Sequence, residues 1–183
     1  RKGEPVYFFW LRSHFGSYAL AWQIEWQRLK AKNKNPFSFN NRMVGYTVAQ
    51  IVLVATIYYF FGGQVTLAFL AAATMGILLL ETVNYIEHYG LLRKKTNTGD
   101  YERVQHKQSW NSDHVVGRIL LFELSRHSDH HYRSNKKYPI LDSMPQSPQM
   151  PTGYPGMMVF SMVTPLFFLY MHKKLEQMEN KIA

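Results

Sequence analysis

A long uncharged stretch dominates the pattern of apolar and polar positions along this chain. No Asp, Glu, Lys or Arg occurs within residues 43–80, and the apolar run continues to about His88. A helix that crosses a membrane needs about 20 apolar residues, so the stretch has room for two such helices. Gly62 and Gly63 divide it in the middle. We therefore predict two transmembrane helices that form a hairpin within residues 43–88.

Basic residues flank both ends of this predicted hairpin. Cytoplasmic segments next to membrane spans are enriched in Lys and Arg, so we expect both ends to lie in the cytoplasm. The alternative is a buried hairpin within a large soluble protein, and a window of this length without any charge argues against it. The flanking cations are Lys30, Lys32, Lys34 and Arg42 before the hairpin, and Arg93, Lys94 and Lys95 after it.

The remaining chain is polar enough to lie outside the membrane core. Residues 1–42 form a basic interfacial region, in which the spacing of apolar residues predicts an amphipathic helix over residues 17–32. Residues 89–183 form a cytoplasmic region with a tail, and residues 115–131 within it have the pattern of a helix. Together these segments predict an all-α membrane protein with one membrane-embedded domain over residues 1–183.

One more apolar segment lies near the C-terminal end of the sequence. Residues 155–171 are apolar and aromatic, but the segment is short for a membrane span and contains Pro165. We predict an interfacial or re-entrant helix there, preceded by a loop rich in Pro, Ser and Gln. The charged residues 172–183 are expected to form a tail.

Composition narrows the classes of function that fit this chain. There is no Cys among the 183 residues, which excludes disulfides, thiolate metal sites and cysteine nucleophiles. The formal charge of +9 suits nucleic acid, an anionic membrane surface or an acidic protein partner. Because the basic residues all lie outside the uncharged stretch, we predict membrane lipid as a partner and no nucleic acid.

Three histidines follow one another at helical spacing. His127, His130 and His131 occupy positions i, i+3 and i+4, which fall on one face of a helix. Imidazole is a ligand for iron, zinc, copper or nickel, so this spacing predicts a metal site. The alternative is a cluster of surface histidines beside Arg126 and Arg133.

A fourth histidine, His88, follows the second half of the apolar run. Glu81 and Asn84 precede it by seven and four residues, so both share its face of a helix. Glu123 precedes His127 by four residues in the same way. A histidine that binds metal usually donates its other ring N–H to a carboxylate or carbonyl, and these three residues are therefore predicted to support the metal ligands.

Two segments now resemble one enzyme family. The octet from Asn84 to Leu91 reads Asn-Tyr-Ile-Glu-His-Tyr-Gly-Leu and is similar to the signature box of the integral-membrane non-haem di-iron alkane monooxygenases. The segment Leu-Ser-Arg-His-Ser-Asp-His-His that ends at His131 is similar to the last histidine box of that family. Gln-Ser-Trp-Asn-Ser-Asp-His, residues 108–114, and Pro-Thr-Gly-Tyr, residues 151–154, also match it.

The resemblance implies two iron ions held mainly by histidines, with no catalytic group beyond the metal ligands. His88, His127, His130 and His131 match the ligand positions of the family. Two earlier boxes of the family, His-x-x-x-His and His-x-x-His-His, do not occur in this sequence. We therefore expect the chain to be the C-terminal part of a longer protein and to be inactive alone. The roles of His106, His114 and His172 stay open: His114 belongs to the segment 108–114 and is expected near the site without binding iron, and His172 is expected in the tail.

The resemblance also implies an activity and a partner. Members of the family convert n-alkanes to primary alcohols with O₂ and with electrons from rubredoxin. Because rubredoxins are acidic, a basic surface after the last histidine box would dock them, and Arg133, Lys136 and Lys137 are the candidates.

Four other interpretations stay open at this stage. Within the same class, they are an enzyme of the xylene monooxygenase type and a fatty-acid hydroxylase or desaturase. Outside it, they are a zinc-dependent membrane hydrolase and a non-catalytic protein whose basic face binds anionic lipid. The octet that ends at Leu91 argues against the last two, and metal analysis would separate both of them from an iron oxygenase.

Overall fold

The computed structural model describes residues 1–133 and 135–182, with side chains as far as residue 178. This part of the chain is helical and contains no strand, which agrees with the predicted all-α class. Two short 3₁₀ turns cover His106–Gln108 and Tyr138–Ile140. The helices are α1 (Val6–Lys30), α2 (Arg42–His88), α3 (Val115–Leu120), α4 (His127–Tyr132), α5 (Tyr154–Met162) and α6 (Thr164–Ile182).

The chain divides into two compact units, one of which comprises residues 10–81. Its main element is the apolar part of α2, which is long and apolar enough to cross a membrane. The helical backbone is interrupted at Gly62, where φ is 76° and ψ is 175°. A break at the glycine pair is as predicted, whereas the antiparallel return of the two arms stays a prediction.

Apolar side chains cover the surface of α2 in this unit. Ile51, Tyr59 and Leu67 are 63%, 81% and 69% exposed. Soluble monomers rarely expose contiguous apolar patches of this kind. The helix therefore has the surface of an element that meets lipid or another protein.

The link between α1 and α2 is fixed by one buried carboxylate. Glu25 accepts two hydrogen bonds from the Arg28 guanidinium, at 3.0 and 2.6 Å, and one from the backbone N–H of Arg42 at 3.3 Å. The Asn41 carboxamide oxygen accepts a hydrogen bond from the N–H of Met43 at 2.8 Å and so caps the start of α2. The predicted amphipathic helix over residues 17–32 is present, but α1 already begins at Val6.

The second unit comprises residues 1–9 and 82–183, and its core surrounds the last turns of α2. The rings of Tyr89 and Phe167 lie 4.8 Å apart between centroids. The buried Trp110 indole donates a hydrogen bond to the Tyr89 carbonyl at 2.8 Å, and the Tyr154 hydroxyl donates one to the Trp110 carbonyl at 3.1 Å. The core thus joins α2, the segment around Trp110, α5 and α6.

The prediction of one helix over residues 115–131 is wrong. The chain leaves α3 after Leu120 and begins α4 at His127. Between them, Phe122 and Glu123 adopt left-handed backbone conformations with φ of 49° and 67°. A left-handed residue ends a right-handed helix, so the two short helices cannot be continuous.

The C-terminal segment also differs from the prediction in two respects. The predicted interfacial helix over residues 155–171 is divided at Val163, one residue before the start of α6. Proline fits at the start of a helix, and Pro165 is the second residue of α6. Residues 172–182 continue α6, so they do not form the separate charged tail that the sequence suggested.

Candidate metal centre

The cluster of histidines is built on α4 and on the last residue of α2. Helix α4 has only six residues, and a helix of this length is not stable without tertiary contacts. His127 and Ser128 on α4 are buried, and the Ser128 hydroxyl donates a hydrogen bond to the carbonyl of Ser109 at 3.0 Å. Contacts of this kind, and not helix propensity, fix the positions of the α4 imidazoles.

Three of the four predicted ligands lie together. Each of His88, His127 and His131 offers a ring nitrogen that lies within 4.8 Å of the others. The ring centroids are 5.3 Å apart for His88 and His127, 5.0 Å for His88 and His131, and 4.3 Å for His127 and His131. This arrangement suits a metal ion that is shared by three imidazoles.

His130 lies beside this trio and not within it. Its ring centroid is 5.8 Å from that of His127 and 5.9 Å from that of His131. Its Nδ1 is buried without a hydrogen-bond partner among the described residues, and its ring lies 5.3 Å from that of Tyr138. The fourth histidine therefore also offers a nitrogen that the surrounding protein does not satisfy.

The protonation of the α4 histidines favours metal binding. Burial, reinforced by the neighbouring imidazoles, lowers the pKa of His127 to about 2 and the pKa of His131 to about 4. Both rings are neutral at pH 7, which is the form that binds metal. Within the described part of the chain, neither ring nitrogen of the buried His127 has a hydrogen-bond partner. Leaving a buried polar atom unpaired costs about 1–3 kcal/mol, and a bound cation would remove that cost, so these residues fit a metal ion.

Glu87 is a site residue that the sequence reasoning missed. Its side chain is 1% exposed, and its Oε2 lies 3.2 Å from Nε2 of His127 without the angle of a hydrogen bond. The other oxygen, Oε1, has no partner in the described structure. A carboxylate directly before His88 at the end of an apolar run was the available signal, because buried charges are paired or bind metal.

His88 is oriented by a backbone carbonyl. Its Nδ1 lies 3.3 Å from the carbonyl oxygen of Gln108 and donates to it in the Nδ1–H tautomer, which leaves Nε2 for a metal. The sequence had suggested Glu81 and Asn84 for this supporting role. Glu81 is buried and Asn84 is half-buried, and their role stays a prediction.

The supporting role suggested for Glu123 is corrected by the structure. Because α3 and α4 are separate helices, Glu123 does not share a helix face with His127. Its carboxylate accepts hydrogen bonds from Arg118 at 2.7 and 2.8 Å and lies 3.5 Å from Arg126. The Arg118 hydrogen bonds lower the pKa of Glu123, so the carboxylate is a charged surface partner of two arginines.

The three cations proposed for docking have different surroundings. Lys137 is exposed, and the Arg133 side chain is half exposed and lies 3.5 Å from Asp142. Lys136 is only 15% exposed and is bonded to Asp129 at 2.8 Å and Asp142 at 2.6 Å. The charge of Lys136 is therefore compensated within the protein, unlike that of Lys137.

A surface pocket reaches two of the clustered imidazoles. Its volume is about 380 Å³, and His88 and His131 form part of its wall. The rest of the wall is mostly apolar or aromatic, with Leu91, Leu92, Tyr101 and Val104. Ligand sites commonly combine an apolar lining with a few polar groups.

Three further histidines, His106, His114 and His172, are not part of the described group that could share a metal ion. His106 faces the ring of Tyr132 at 6.0 Å, and His114 precedes α3. His172, which was expected in a tail, stacks on Phe168 and lies within hydrogen-bonding distance of the Tyr89 hydroxyl, at 2.8 Å.

The fold and the site define a helical protein with a histidine-lined candidate metal site and a helix long enough to span a membrane. The chain belongs to the fatty acid desaturase family, whose model matches residues 1–171. Alkane 1-monooxygenase 1 of Pseudomonas aeruginosa is 38% identical over 175 residues, which cover 96% of this chain and 46% of the relative. Alkane 1-monooxygenase 1 of Alcanivorax borkumensis is 41% identical over 157 residues, which cover 86% of this chain and 39% of the relative.

One relative represents the xylene monooxygenase type, which was an alternative within the same enzyme class. The xylene/toluene monooxygenase hydroxylase component of Pseudomonas putida is 26% identical over 183 residues, or 100% of this chain and 48% of the relative. The chain is thus more similar to the alkane monooxygenases than to this aromatic-substrate relative. It spans less than half the length of all three proteins.

Proposed function

We propose that this chain is part of an alkane 1-monooxygenase that hydroxylates the terminal carbon of n-alkanes. The observation that carries the proposal is the cluster of His88, His127 and His131, in a chain up to 41% identical to alkane 1-monooxygenases. In the reaction one atom of O₂ enters the alcohol and the other leaves as water, with two electrons and two protons supplied. The inactivity of the chain alone is part of the proposal.

The proposed cofactor is a pair of non-haem iron ions. His88, His127 and His131 would hold one ion, and His130 would serve the second together with ligands from elsewhere. Iron bound there would activate O₂. Glu87 would place a negative charge beside His127 and so balance the positive charge of the metal. We further propose Glu81 as a support of the site.

The chain's own residues contribute orientation and exclusion of water. The Gln108 carbonyl holds His88 in one tautomer, and the burial of His127 keeps its ring neutral. The apolar wall formed by Leu91, Leu92 and Val104 would limit the access of water to the imidazoles on this side.

The metal assignment is tested on the protein as its host makes it, in membranes or detergent. Replacing His130 by Ala should lower bound iron and abolish octane hydroxylation, because an imidazole ligand is lost. His106→Ala is the matched control, since His106 lies outside the cluster, and it should keep its iron. Stoichiometric zinc without iron in the purified wild-type protein would overturn the proposal in favour of a hydrolase.

Substrate class is tested separately from metal content. Iron-loaded protein should convert n-octane to 1-octanol and should oxidise xylene far more slowly. Xylene oxidation at a higher rate than octane oxidation would favour the alternative suggested by the xylene/toluene relative. Iron-loaded protein that oxidises neither would refute both.

We propose that α2 forms a hairpin across the cytoplasmic membrane with the metal centre on the cytoplasmic side. The break at Gly62 and the basic flanks support this topology. A reporter fused near Gly63 should be active outside the cytoplasm, and one fused after Lys95 should be active inside. If both reporters lay on the same side, the hairpin would be excluded.

Rubredoxin is the proposed electron donor, with exposed cations near α4 as its docking surface. Arg133 and Lys137 keep exposed charge, whereas Lys136 does not. Changing Arg133 to Gln and Lys137 to Glu should slow reduction by rubredoxin, most strongly at low ionic strength, because steering by charge weakens with salt. Reduction by dithionite is the control and should be unaffected. An unchanged rate and salt dependence would exclude this surface.

A further inference from the structure

A buried acidic residue lies between two of the proposed metal ligands. Asp129 is 0% exposed and sits on α4 after His127 and before His130. A buried carboxylate is costly unless it is paired and hydrogen-bonded. Its place on the ligand helix means that its partners also determine where that helix lies.

The partners of Asp129 come from the loop that follows α4. Its Oδ2 accepts a hydrogen bond from Lys136 Nζ at 2.8 Å and another from the backbone N–H of Asp142 at 2.8 Å. Lys136 Nζ also donates to Asp142 Oδ2 at 2.6 Å. Asp129, Lys136 and Asp142 therefore form a closed triad, in which each member contacts both others.

The start of α4 is tied to the same part of the loop. The Arg126 guanidinium donates to the carbonyl oxygen of Leu141 at 2.8 Å and to Asp113 Oδ1 at 3.0 Å. Leu141 is buried, with 2% exposure. The residue before α4 and the first turn of α4 are thus attached to two consecutive residues, Leu141 and Asp142.

The geometry points to a positioning role for the triad of Asp129, Lys136 and Asp142: it sets the orientation of α4 and thereby of the imidazoles of His127, His130 and His131. This inference rests on the proposed metal site and adds residues that act through the ligands. Lys136 belongs to this triad and is not a docking residue. None of the three residues is a ligand in the proposed metal site, so we class them as positioning residues.

Iron release measures this role more directly than activity does. Residues that orient metal ligands typically change metal affinity by about 10–100-fold when they are replaced. In the natural protein loaded with iron, Lys136→Met should release iron to a chelator about tenfold faster than wild type. The Mössbauer spectrum of the bound iron should also change, because the ligand imidazoles move. Lys173→Met, on exposed α6 surface, is the control and should match wild type in both.

A double variant separates the positioning of α4 by the triad from the simple loss of the Lys136 charge. Lys136→Met leaves Asp129 buried with only the Asp142 N–H and the more distant Arg133, whose Nε lies 3.7 Å away. Asp129→Asn in the same protein removes that uncompensated charge and keeps the shape of the side chain. The double variant should therefore release iron more slowly than Lys136→Met alone. Lys136→Arg, which keeps the charge, should restore most of the wild-type rate.

Each outcome of these experiments either supports or contradicts the positioning role of the triad. If Lys136→Met and Lys173→Met released iron at the same rate and gave the same spectrum, the triad would have no positioning role, even if Lys136→Met lowered thermal stability. If Lys136→Met did not accumulate, Asp142→Ala would replace it, because Asp142 is exposed and its backbone N–H is retained; a wild-type release rate in that variant would likewise overturn the inference. Wild-type protein without iron would instead refute the proposed function.

Discussion

His88 and the three histidines of α4 are held by supports of opposite kinds. His88 ends a long helix, and the residues that follow it lie in an aromatic core with Tyr89, Trp110 and Phe167. The α4 histidines sit on six residues whose position depends on two charged side chains, Arg126 just before the helix and Asp129 in its first turn. One part of the site is supported by packing and backbone hydrogen bonds, and the other by ion pairs.

One cluster of histidines can therefore combine a ligand held by close packing with ligands held by ion pairs. Close packing resists small displacements, whereas ion pairs at the protein surface weaken with salt. We therefore expect changes near His88 to be independent of salt, and changes at the partly exposed ion pair of Arg126 and Asp113 to depend on salt.

The largest loss of stability is expected at Gly90, in the tightly packed region next to His88. Gly90 has a φ of 72°, and a Cβ added there would overlap the Leu175 side chain. Gly90→Ala should lower the free energy of unfolding in detergent by about 3 kcal/mol, because backbone strain adds to overpacking. In a double variant with Leu175→Ala, the combined loss should be smaller than the sum of the single losses. Strict additivity would show that the overlap has no energetic consequence.

A smaller effect is expected on the charged side. Arg126→Gln removes the ion pair with Asp113 and the charged hydrogen bond to the Leu141 carbonyl. Hydrogen bonds to charged groups contribute about 1.5–3 kcal/mol, so we expect a loss of about 2 kcal/mol at low salt and less at high salt. Unfolding curves at two salt concentrations test this, with the exposed Arg103→Gln as control. If the loss of unfolding free energy in Arg126→Gln did not change with salt, the contrast between the support of His88 and the support of α4 would be wrong.

The smallest effect is expected from one buried hydroxyl in the aromatic core next to His88. Tyr154→Phe removes the hydroxyl that donates to the Trp110 carbonyl and also lies beside the Glu87 carboxyl group, and it changes the volume little. The expected loss is about 1 kcal/mol, the usual contribution of one such bond, and it should be the same at both salt concentrations. A loss above that for Arg126→Gln would reverse the order proposed here.

Local patterns predicted the parts of the fold that depend on local physics. The uncharged run predicted the long helix, and the glycine pair predicted the break at Gly62. The spacing of His127 and His131 predicted that both would face one side, and the structure brings His88 to the same side. Periodicity and backbone freedom are properties of neighbouring residues, so a sequence can report them.

The parts that the sequence did not predict depend on distant contacts. Phe122 and Glu123 give no sequence signal for a left-handed conformation, and the apolar pattern around them is that of a helix. The sequence around Lys136 is typical of an exposed loop, and nothing in it indicates an ion pair. The pair with Asp129 forms only because the folded loop brings the two side chains together. Glu87 is part of the site because the fold brings His127 close to it, although the two residues are 40 positions apart in the sequence.

The attachment of α4 to Leu141 and Asp142 has a consequence for how the loop can change in evolution or by design. The carbonyl that Arg126 binds and the N–H that Asp129 binds belong to a single peptide group, which is planar and rigid. One flat unit therefore binds both the residue before α4 and the first turn of α4. Insertions within residues 143–147 would leave that peptide unit itself in place, although they would displace the buried Met144 and Ser147. Proline at position 142 would remove its N–H, and we expect that one change to disturb the helix more than several extra loop residues would.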